Sequence, residues 1–228
     1  MTHRFPAMLF AAGLGTRMGA LTADRPKPLI HVSGTTLLDH ALTLTDVPCV
    51  ERRVVNVHYK AQMIRDHLAD LDIAISAEDP LLETGGGLRH ALPLLGTGPV
   101  ITLNTDAIWL GPQPVTTLCA AWKPQMEALL MLVPKTHVRG HSGPGDFSRS
   151  MDGRLHRAPD LIYTGLQIIR TDSLADVTDA AFSLNVVWNQ MAARRGLYGV
   201  VFDGKWCDVG RPEAIPLAEA LLRENADV

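Results

Sequence analysis

Near the N-terminus, two glycines and two cations are spaced as a phosphate-binding site requires. Gly13 and Gly15 follow a short apolar run, and Arg17 and Lys27 come soon after them. A glycine lets the backbone turn tightly and approach a ligand closely. Successive backbone N–H groups in such a turn form a concave anion site. Together with the two positive charges, this turn indicates a site for a polyanion such as a nucleoside triphosphate.

Two common phosphate loops do not fit this segment. The glycines at positions 13, 15 and 19 miss the dinucleotide pattern G-x-G-x-x-G by one residue, and the pattern G-x-x-x-x-G-K-[ST] does not occur. What the chain does carry is Ala11-Ala12-Gly13-Leu14-Gly15-Thr16-Arg17-Met18, followed by Lys27-Pro28-Leu29. Taken alone, Gly-x-Gly would be an ordinary strand and turn. The ordered set resembles the activating loop of the sugar-1-phosphate nucleotidyltransferases.

This resemblance implies a role for each residue of the loop. The triphosphate of an NTP would be held by Ala12, Gly13, Gly15 and Thr16. Arg17 would neutralise the leaving pyrophosphate, and Lys27 would lie between the α-phosphate and the incoming sugar phosphate. Because glycines and a proline shape this loop, we expect Arg17 and Lys27 to act through charge and to contribute little to folding.

Length and composition limit the possible classes of protein. A chain of 228 residues is long enough for one large domain or two small ones, and we expect a single nucleotidyltransferase domain over residues 1–228. A net charge of −3 and scattered basic residues argue against a nucleic acid partner. The three cysteines form no C-x-x-C pair, which disfavours a zinc site or a disulfide framework.

The start of the chain could be mistaken for a signal peptide. His3 and Arg4 precede an apolar run that ends at Ala12, but this run leads directly into the glycine loop. Elsewhere no apolar run approaches the ~20 residues of a membrane helix. We therefore expect a soluble cytoplasmic protein, without a membrane partner, that is a monomer or a small homo-oligomer.

The hydrophobic pattern predicts alternating strands and helices. Examples are a β-branched strand around Val54–Val57, a helix over 60–71 and a strand over 73–77. This alternation predicts an α/β fold with a mostly parallel central sheet. The resemblance adds that the fold is Rossmann-like, with three layers α/β/α. A glycine-rich stretch, roughly 134–165, is expected to form a small β excursion over the sugar site, and Asp203-Gly204 a hairpin turn.

A glycine triplet, residues 85–87, lies before a predicted helix over 88–95. Since glycines are costly to order, we expect the triplet to be a loop that precedes the helix. On the residues alone, a flexible surface loop is an equally good interpretation. The surrounding Leu82-Glu83-Thr84-Gly85-Gly86-Gly87 resembles one branch of the family, the N-acetylmuramate-1-phosphate uridylyltransferases of cell-wall recycling.

In that family this loop cradles the nucleotide base, which implies nucleotide contacts for Glu83, Thr84 and Gly85. Glu78 lies where many relatives carry a Gln that faces the base edge. A carboxylate there accepts from uracil N3–H or from the N–H groups of guanine, and it disfavours cytosine. The residue therefore does not choose between UTP and GTP.

Two acidic residues are candidates for binding a metal ion. Asp106 ends a buried strand, where ligands bind in open α/β sheets, although a lone Asp there is usually a turn or cap residue. Asp208 lies in Trp206-Cys207-Asp208-Val209-Gly210, which resembles the W-x-D-[VIL]-G of the family. The resemblance implies that both acids share one or two Mg²⁺ ions and that Asn104 binds the nucleotide. Thr105 stands where the family usually has Gly.

Further motifs resemble the sugar side of the family's site. Gly145-Asp146-Phe147 resembles the muramate branch, and Thr164-Gly165 resembles the strand that faces the sugar, with a β-bulge as the alternative. A helix cap is the alternative for Asn185. The implied sugar-binding residues are Gly145, Asp146, Thr164, Gly165 and Asn185. For the lactyl carboxylate of a muramate, the candidate cations are Arg139, His141 and Arg149.

The reaction implied by these motifs is Mg²⁺-dependent transfer of a nucleotidyl group from an NTP to a sugar 1-phosphate, with release of pyrophosphate. UTP and N-acetylmuramic acid 1-phosphate are the favoured pair. One alternative is another specificity on the same fold, such as mannose-1-phosphate guanylyltransferase or a phosphocholine cytidylyltransferase. A second is a non-catalytic subunit that binds nucleotide sugars, which the presence of all four residues Arg17, Lys27, Asp106 and Asp208 disfavours.

Overall fold

A computed structural model describes residues 3–226 of the protein. Its strands are β1 (Phe5–Phe10), β2 (His31–Val32), β3 (Thr35–Thr36), β4 (Val50–Val57), β5 (Ala74–Ala77), β6 (Pro99–Asn104), β7 (Ala107–Leu110), β8 (Ala128–Val133), β9 (Val138–Arg139), β10 (Phe147–Arg149), β11 (Leu155–Arg157), β12 (Ile162–Arg170), β13 (Leu197–Val201) and β14 (Lys205–Asp208). Its α-helices are α1 (Leu37–Thr45), α2 (Ala61–His67), α3 (Glu83–Leu95), α4 (Pro114–Ala121), α5 (Leu184–Ala193) and α6 (Ala214–Ala226).

Seven strands form the central sheet in the order β13-β8-β12-β6-β1-β4-β5. Strand β1 pairs in parallel with both β4 and β6, β4 with β5, and β13 with β8. Only β12 runs against its two neighbours in this sheet. The predicted mostly parallel sheet is therefore confirmed.

The two faces of the sheet carry separate hydrophobic cores. Side chains alternate along a strand, so Ala7 and Leu9 of β1 pack in one core and Met8 in the other. The first core contains residues of α1, α2 and α4, and the second contains residues of α3 and α5. This arrangement is the predicted three-layer α/β/α fold.

A second, three-stranded sheet in the order β7-β14-β9 lies under helix α6. The predicted excursion contains the antiparallel hairpin of β10 and β11. The predicted hairpin turn at Asp203-Gly204 is wrong, because β13 pairs with β8 in the central sheet whereas β14 pairs with β7 and β9. The turn instead passes the chain from one sheet to the other.

The glycine triplet is the clearest correction to the predicted secondary structure. All three glycines lie inside α3, which begins at Glu83 and not near residue 88. A Cβ at Gly85 would lie 2.3 Å from the Phe182 ring, and one at Gly86 would lie 2.4 Å from the Ala180 carbonyl oxygen. The triplet therefore allows the first turn of the helix to pack closely against the segment before α5, at a cost in helix propensity.

Gly86→Ala is expected to destabilise the protein by about 1–3 kcal/mol, because its methyl group would overlap backbone that cannot easily move. Thermal unfolding measures this change. Gly13→Ala is the matched control, since a Cβ at Gly13 meets no atom within 4 Å and its melting temperature should stay close to that of the parent. Equal melting temperatures for all three proteins would contradict the proposed packing role.

Candidate active site

A cleft of about 290 Å³ opens beyond the carboxyl ends of the parallel strands β1, β4, β5 and β6. This is where ligands bind in open α/β sheets. The cleft brings together most of the predicted nucleotide-binding and catalytic residues: Ala12, Gly13, Gly15, Thr16, Arg17, Lys27, Glu78, Glu83, Thr84, Asn104 and Asp106.

The glycine loop forms one wall of this cleft. Gly15 has a φ of +66°, and a Cβ there would lie 3.0 Å from Cβ of Lys27. Only glycine fits this conformation easily, so Gly15 fixes the turn and brings the Lys27 backbone close. Gly13 leaves open space on the same wall. The loop thus exposes backbone to a ligand beside two cations.

Lys27 forms an ion pair at the floor of the cleft. Its Nζ atom lies 2.7 Å from Oδ2 of Asp106, and its side chain is only 11% exposed. The prediction that Lys27 acts through charge alone treated it as a surface residue, and this burial contradicts that premise. Arg17, in contrast, is exposed at the rim.

Asp208 lies beside Asp106 because β14 pairs with β7. Asp208 is opposite Ala107 in this pairing, and the Val209 N–H donates to the Asp106 carbonyl oxygen at 2.8 Å. Burial and the negative charge of Asp106 raise the pKa of Asp208, against opposing effects of Lys27 and other neighbouring groups. The two carboxylates are therefore close enough to repel each other.

Two further groups surround Asp208. Nδ1 of His141 lies 3.5 Å from its Oδ2 atom. A Cβ placed on Gly210 would lie 3.0 Å from Oδ1 of Asp208 and 3.3 Å from a terminal nitrogen of Arg17. Gly210 thus keeps the space between this carboxylate and Arg17 free of side-chain atoms.

The donor set fits a divalent cation such as Mg²⁺. Two adjacent carboxylates, one with a pKa raised partly by the charge of the other, provide hard oxygen ligands and a local excess of negative charge. Among the described residues no group of three or more His, Cys, Asp or Glu side chains could hold a metal. Mg²⁺ is usually bound by one or two carboxylates, with substrate phosphates and water as the other ligands.

Glu78 lies buried in the wall of the cleft, only 3% exposed. Its Oε1 accepts from Nδ2 of Asn56 at 2.6 Å, and its Oε2 accepts from the Leu82 N–H at 2.9 Å. Asn56 in turn accepts from the Ala11 N–H at 2.7 Å. Each carboxylate oxygen retains a second lone pair, so contact with a base stays a prediction.

Asn56 also lines the cleft, although it was not predicted from the sequence. The available signal was a lone polar residue inside the valine-rich strand β4, near its carboxyl end. A buried Asn must satisfy several hydrogen bonds, and here it fixes Glu78 relative to the glycine loop.

The start of helix α3 forms the next part of the cleft wall. Glu83 adopts a left-handed φ of +59°, and Thr84 Oγ1 accepts from the Leu184 N–H at 3.0 Å. Gly85 does not line the cleft, because it is buried and its N–H donates to the Phe182 carbonyl oxygen at 2.8 Å. Gly85 therefore packs against Phe182, and it does not make the predicted contact with the nucleotide from the cleft wall.

Thr164 and Gly165 lie in β12 where the pairing with β8 is irregular. Thr164 is 1% exposed, and its hydroxyl donates to the Met131 carbonyl oxygen. This threonine is therefore unavailable to a sugar. A Cβ at Gly165 would lie 2.7 Å from the Asn104 side chain, so Gly165 makes room for a residue of the cleft. The register of β12 against β8 shifts between Tyr163 and Gln167, which agrees with an irregularity of the β-bulge kind.

The remaining predicted sugar residues lie around the β10–β11 hairpin and the start of α5. Asp146 Oδ2 accepts from the Tyr163 N–H at 2.9 Å, and Gly145 packs against the backbone of Asp160. Asn185 is exposed, and its Oδ1 accepts from Arg157 at 2.6 Å. The cap of α5 is Ser183 and not Asn185.

Two of the three cations predicted for the lactyl carboxylate are bound elsewhere. Arg139 forms an ion pair with Glu224 at 2.6 Å, and Nε of Arg149 donates to the Gly199 carbonyl oxygen at 2.7 Å. Of the three, only His141 lies at the floor of the cleft, beside Asp208.

Over the part of the chain that the structure describes, no helix is long and apolar enough to cross a membrane.

A glycine loop with two cations faces two carboxylates: Asp106, which follows β6 of the central sheet, and Asp208, which ends β14 of the three-stranded sheet. This arrangement defines a nucleotide-binding transferase site. Comparison with known proteins makes the class specific. The sequence profile described as the MobA-like NTP transferase domain matches residues 7–198, and the chain belongs to this family. It is an enzyme of the nucleotidyltransferase type.

Curated relatives and solved structures support this assignment. The chain is 43% identical to the N-acetylmuramate alpha-1-phosphate uridylyltransferase of Caulobacter vibrioides, over 96% of this chain and 97% of the relative. It is 31% identical to the protein of that name from Neisseria meningitidis serogroup B, over 94% and 97%. A putative glucose-1-phosphate thymidylyltransferase from Bacillus anthracis superposes with a TM-score of 0.79 at 15% identity, covering 96% of this chain and 95% of that one, which shows the shared fold.

Proposed function

We propose that this enzyme transfers a uridylyl group from UTP to N-acetylmuramic acid 1-phosphate and releases pyrophosphate, as a step of peptidoglycan recycling in the cytoplasm. The observation that carries the proposal is that Lys27, Asp106 and Asp208 lie together at the floor of the cleft, beside the glycine loop. The names of the two uridylyltransferase relatives, at 43% and 31% identity, support the choice of substrates.

In the proposed reaction, a phosphate oxygen of the sugar phosphate attacks the α-phosphorus of the NTP. The bond from this phosphorus to the oxygen bridging toward the β-phosphate breaks, and that oxygen leaves with the pyrophosphate. The nucleophile is already anionic near pH 7, so no general base is required. The barrier is mainly electrostatic, because two polyanions approach and charge accumulates on the α-phosphoryl oxygens.

The residues of the cleft meet this electrostatic demand. The N–H groups of the glycine loop hold the triphosphate. Arg17, exposed at the rim, neutralises the pyrophosphate as its charge grows. Lys27, held at the floor by Asp106, screens the approach of the sugar phosphate. When bound at Asp106 and Asp208, Mg²⁺ supplies Lewis-acid polarisation of the phosphoryl oxygens.

Glu78 supports the preference for a base with an imide N–H. Asn56 and Leu82 hold its carboxylate at the cleft wall, with an acceptor lone pair left on each oxygen. Uracil N3–H and guanine N1–H can both donate there. GTP therefore remains the competing nucleotide, and the contacts to the sugar must contribute to the choice.

The expected result is that UTP with N-acetylmuramic acid 1-phosphate gives the highest kcat/KM in a matrix of the four NTPs against a panel of sugar 1-phosphates. Released pyrophosphate is the measured product, and CTP should be among the poorest donors. If GTP with mannose 1-phosphate is used at least as efficiently, the substrate assignment is wrong while the reaction class stands. If no pair releases pyrophosphate, the catalytic assignment also fails.

A further inference from the structure

We propose that Arg157 is the specificity-determining residue that recognises an acidic substituent on the sugar. This inference rests on the proposed function and deepens it. The chemical class of ligand is a carboxylate carried by the sugar ring, such as the lactyl group that distinguishes a muramate from N-acetylglucosamine. Arg157 was not among the cations predicted from the sequence to bind this group.

Packing and hydrogen bonds hold the Arg157 guanidinium in place. It lies 4.5 Å from the centre of the buried Phe147 ring and 5.9 Å from that of Trp188. One terminal nitrogen, Nη2, donates to the side-chain oxygens of Asn185 at 2.6 Å and Asn189 at 3.2 Å. A planar cation fixed in this way loses little conformational freedom when it binds a ligand.

A chain of contacts links Arg157 to the cleft wall. Its partner Asn185 follows Leu184, and the N–H of Leu184 donates to Thr84 in the cleft wall. The β10–β11 hairpin that carries Arg157 therefore lies on the side of the cleft where α3 and α5 begin. This is the side of the predicted sugar contacts Asp146 and Asn185.

Arg157 also retains unused hydrogen-bonding capacity. Among the described residues, its Nη1 nitrogen has no protein acceptor, and none of the described salt bridges includes this guanidinium. Burial lowers the pKa of Arg157, whereas the charge of Asp146 raises it, and an arginine stays protonated in either case. A planar guanidinium with free donors matches a carboxylate in charge and geometry.

The other arginines of this region are less suitable. Arg139 is paired with Glu224, and Arg149 turns toward the backbone of β13. Arg154 bonds Asp152 and the Arg195 carbonyl oxygen, and it lies over the Tyr198 ring. Arg157 therefore differs from these three in combining free donors with contact to a predicted sugar residue.

The test compares two sugar phosphates that differ only in the lactyl group, N-acetylmuramic acid 1-phosphate and N-acetylglucosamine 1-phosphate, with UTP as the donor. In Arg157→Gln, the ratio of their kcat/KM values should fall by about 10- to 100-fold, as expected for the loss of charge-assisted hydrogen bonds. The loss should appear mainly in the KM of the muramate. Arg157→Lys should recover part of the ratio, and Arg154→Gln, the matched control in the same hairpin, should keep the parent ratio.

Two results would overturn the inference. The first is an unchanged ratio in Arg157→Gln. The second is a parallel loss for both sugars, which would show that Arg157 only supports the hairpin. Failure of the proposed function looks different, because the parent enzyme itself would then show no preference for the muramate or no release of pyrophosphate.

Discussion

Asp106→Asn and Asp208→Asn are each expected to lower kcat by at least about 10²-fold, the scale of losing one strong transition-state charge contact. Both carboxylates lie at the floor of the cleft, and the charge of Asp106 helps to raise the pKa of Asp208. An amide is isosteric with the carboxylate but carries no charge to attract a divalent cation. Turnover with UTP and the preferred sugar phosphate, measured over a range of Mg²⁺ concentrations, shows the change.

A second measurement separates metal binding from general damage to the fold. The melting temperature of the parent should rise when Mg²⁺ is added, because a ligand that binds only the folded state stabilises it. In the Asn variants this rise should be small or absent. Asp72→Asn is the matched control and should behave as the parent, because Asp72 is exposed and precedes β5, whose opposite, carboxyl end faces the cleft. Near-normal turnover in either cleft variant would remove that residue from the metal site.

Local periodicity was sufficient to predict most of the elements. The predicted strand around Val54–Val57 is the second half of β4 (Val50–Val57), and the strand predicted over 73–77 is β5 (Ala74–Ala77). These features depend on neighbours within a few positions in sequence. Helix α2 is shorter than the predicted 60–71, because Lys60 takes a left-handed φ of +50° and the helix ends at His67.

The two larger errors have a common cause, since both depend on contacts distant in sequence. Gly85 and Gly86 fit in a helix because the segment 180–182 packs against them, and no local pattern shows that segment. In the same way, the strand after Asp203-Gly204 joins a different sheet because β7 and β9 offer it partners. Propensity gave the wrong prediction at both places because tertiary packing overrides it.

The same distinction applies to the candidate site, where residues in local motifs could be predicted and contacts between distant residues could not. The glycine loop and the two acids could be predicted because they lie in short motifs that follow one another along the chain in the order typical of the family. The network of Asn56 with Glu78 joins residues 22 positions apart, and Arg157 meets Asn185 across 28 positions. A single sequence does not show such pairs, so residues that orient others were missed while those in motifs were found.

Lys27→Met is expected to reduce turnover by about 10²- to 10³-fold, because the floor of the cleft loses the cation that screens the approaching phosphates. Methionine retains much of the side-chain volume, so packing beside Gly15 is largely preserved. Steady-state kinetics with the preferred substrates, corrected for the folded fraction, measures the loss. Turnover near the parent value per folded molecule would show that Lys27 has no catalytic role.

The stability of this variant should also change, in contrast to the prediction made from the loop alone. Removing one partner of a buried ion pair leaves the other charge uncompensated, at a cost of up to about 3–5 kcal/mol. Because the Asp106 side chain is 29% exposed, we expect about 1–3 kcal/mol, or roughly 2–10 °C in melting temperature. Arg17→Ala, at an exposed position, should cost under ~0.5 kcal/mol although it also impairs turnover.

The double variant Lys27→Met/Asp106→Asn separates the two roles of Lys27. Removing both charges relieves the uncompensated carboxylate, so the melting temperature should return toward that of the parent while turnover stays lost. Mg²⁺ should restore part of the stability of Lys27→Met, because a cation at Asp106 and Asp208 replaces the missing charge, and it should restore little in the double variant. Additive losses of stability in the double variant would show that the 2.7 Å contact between Lys27 and Asp106 contributes nothing to folding.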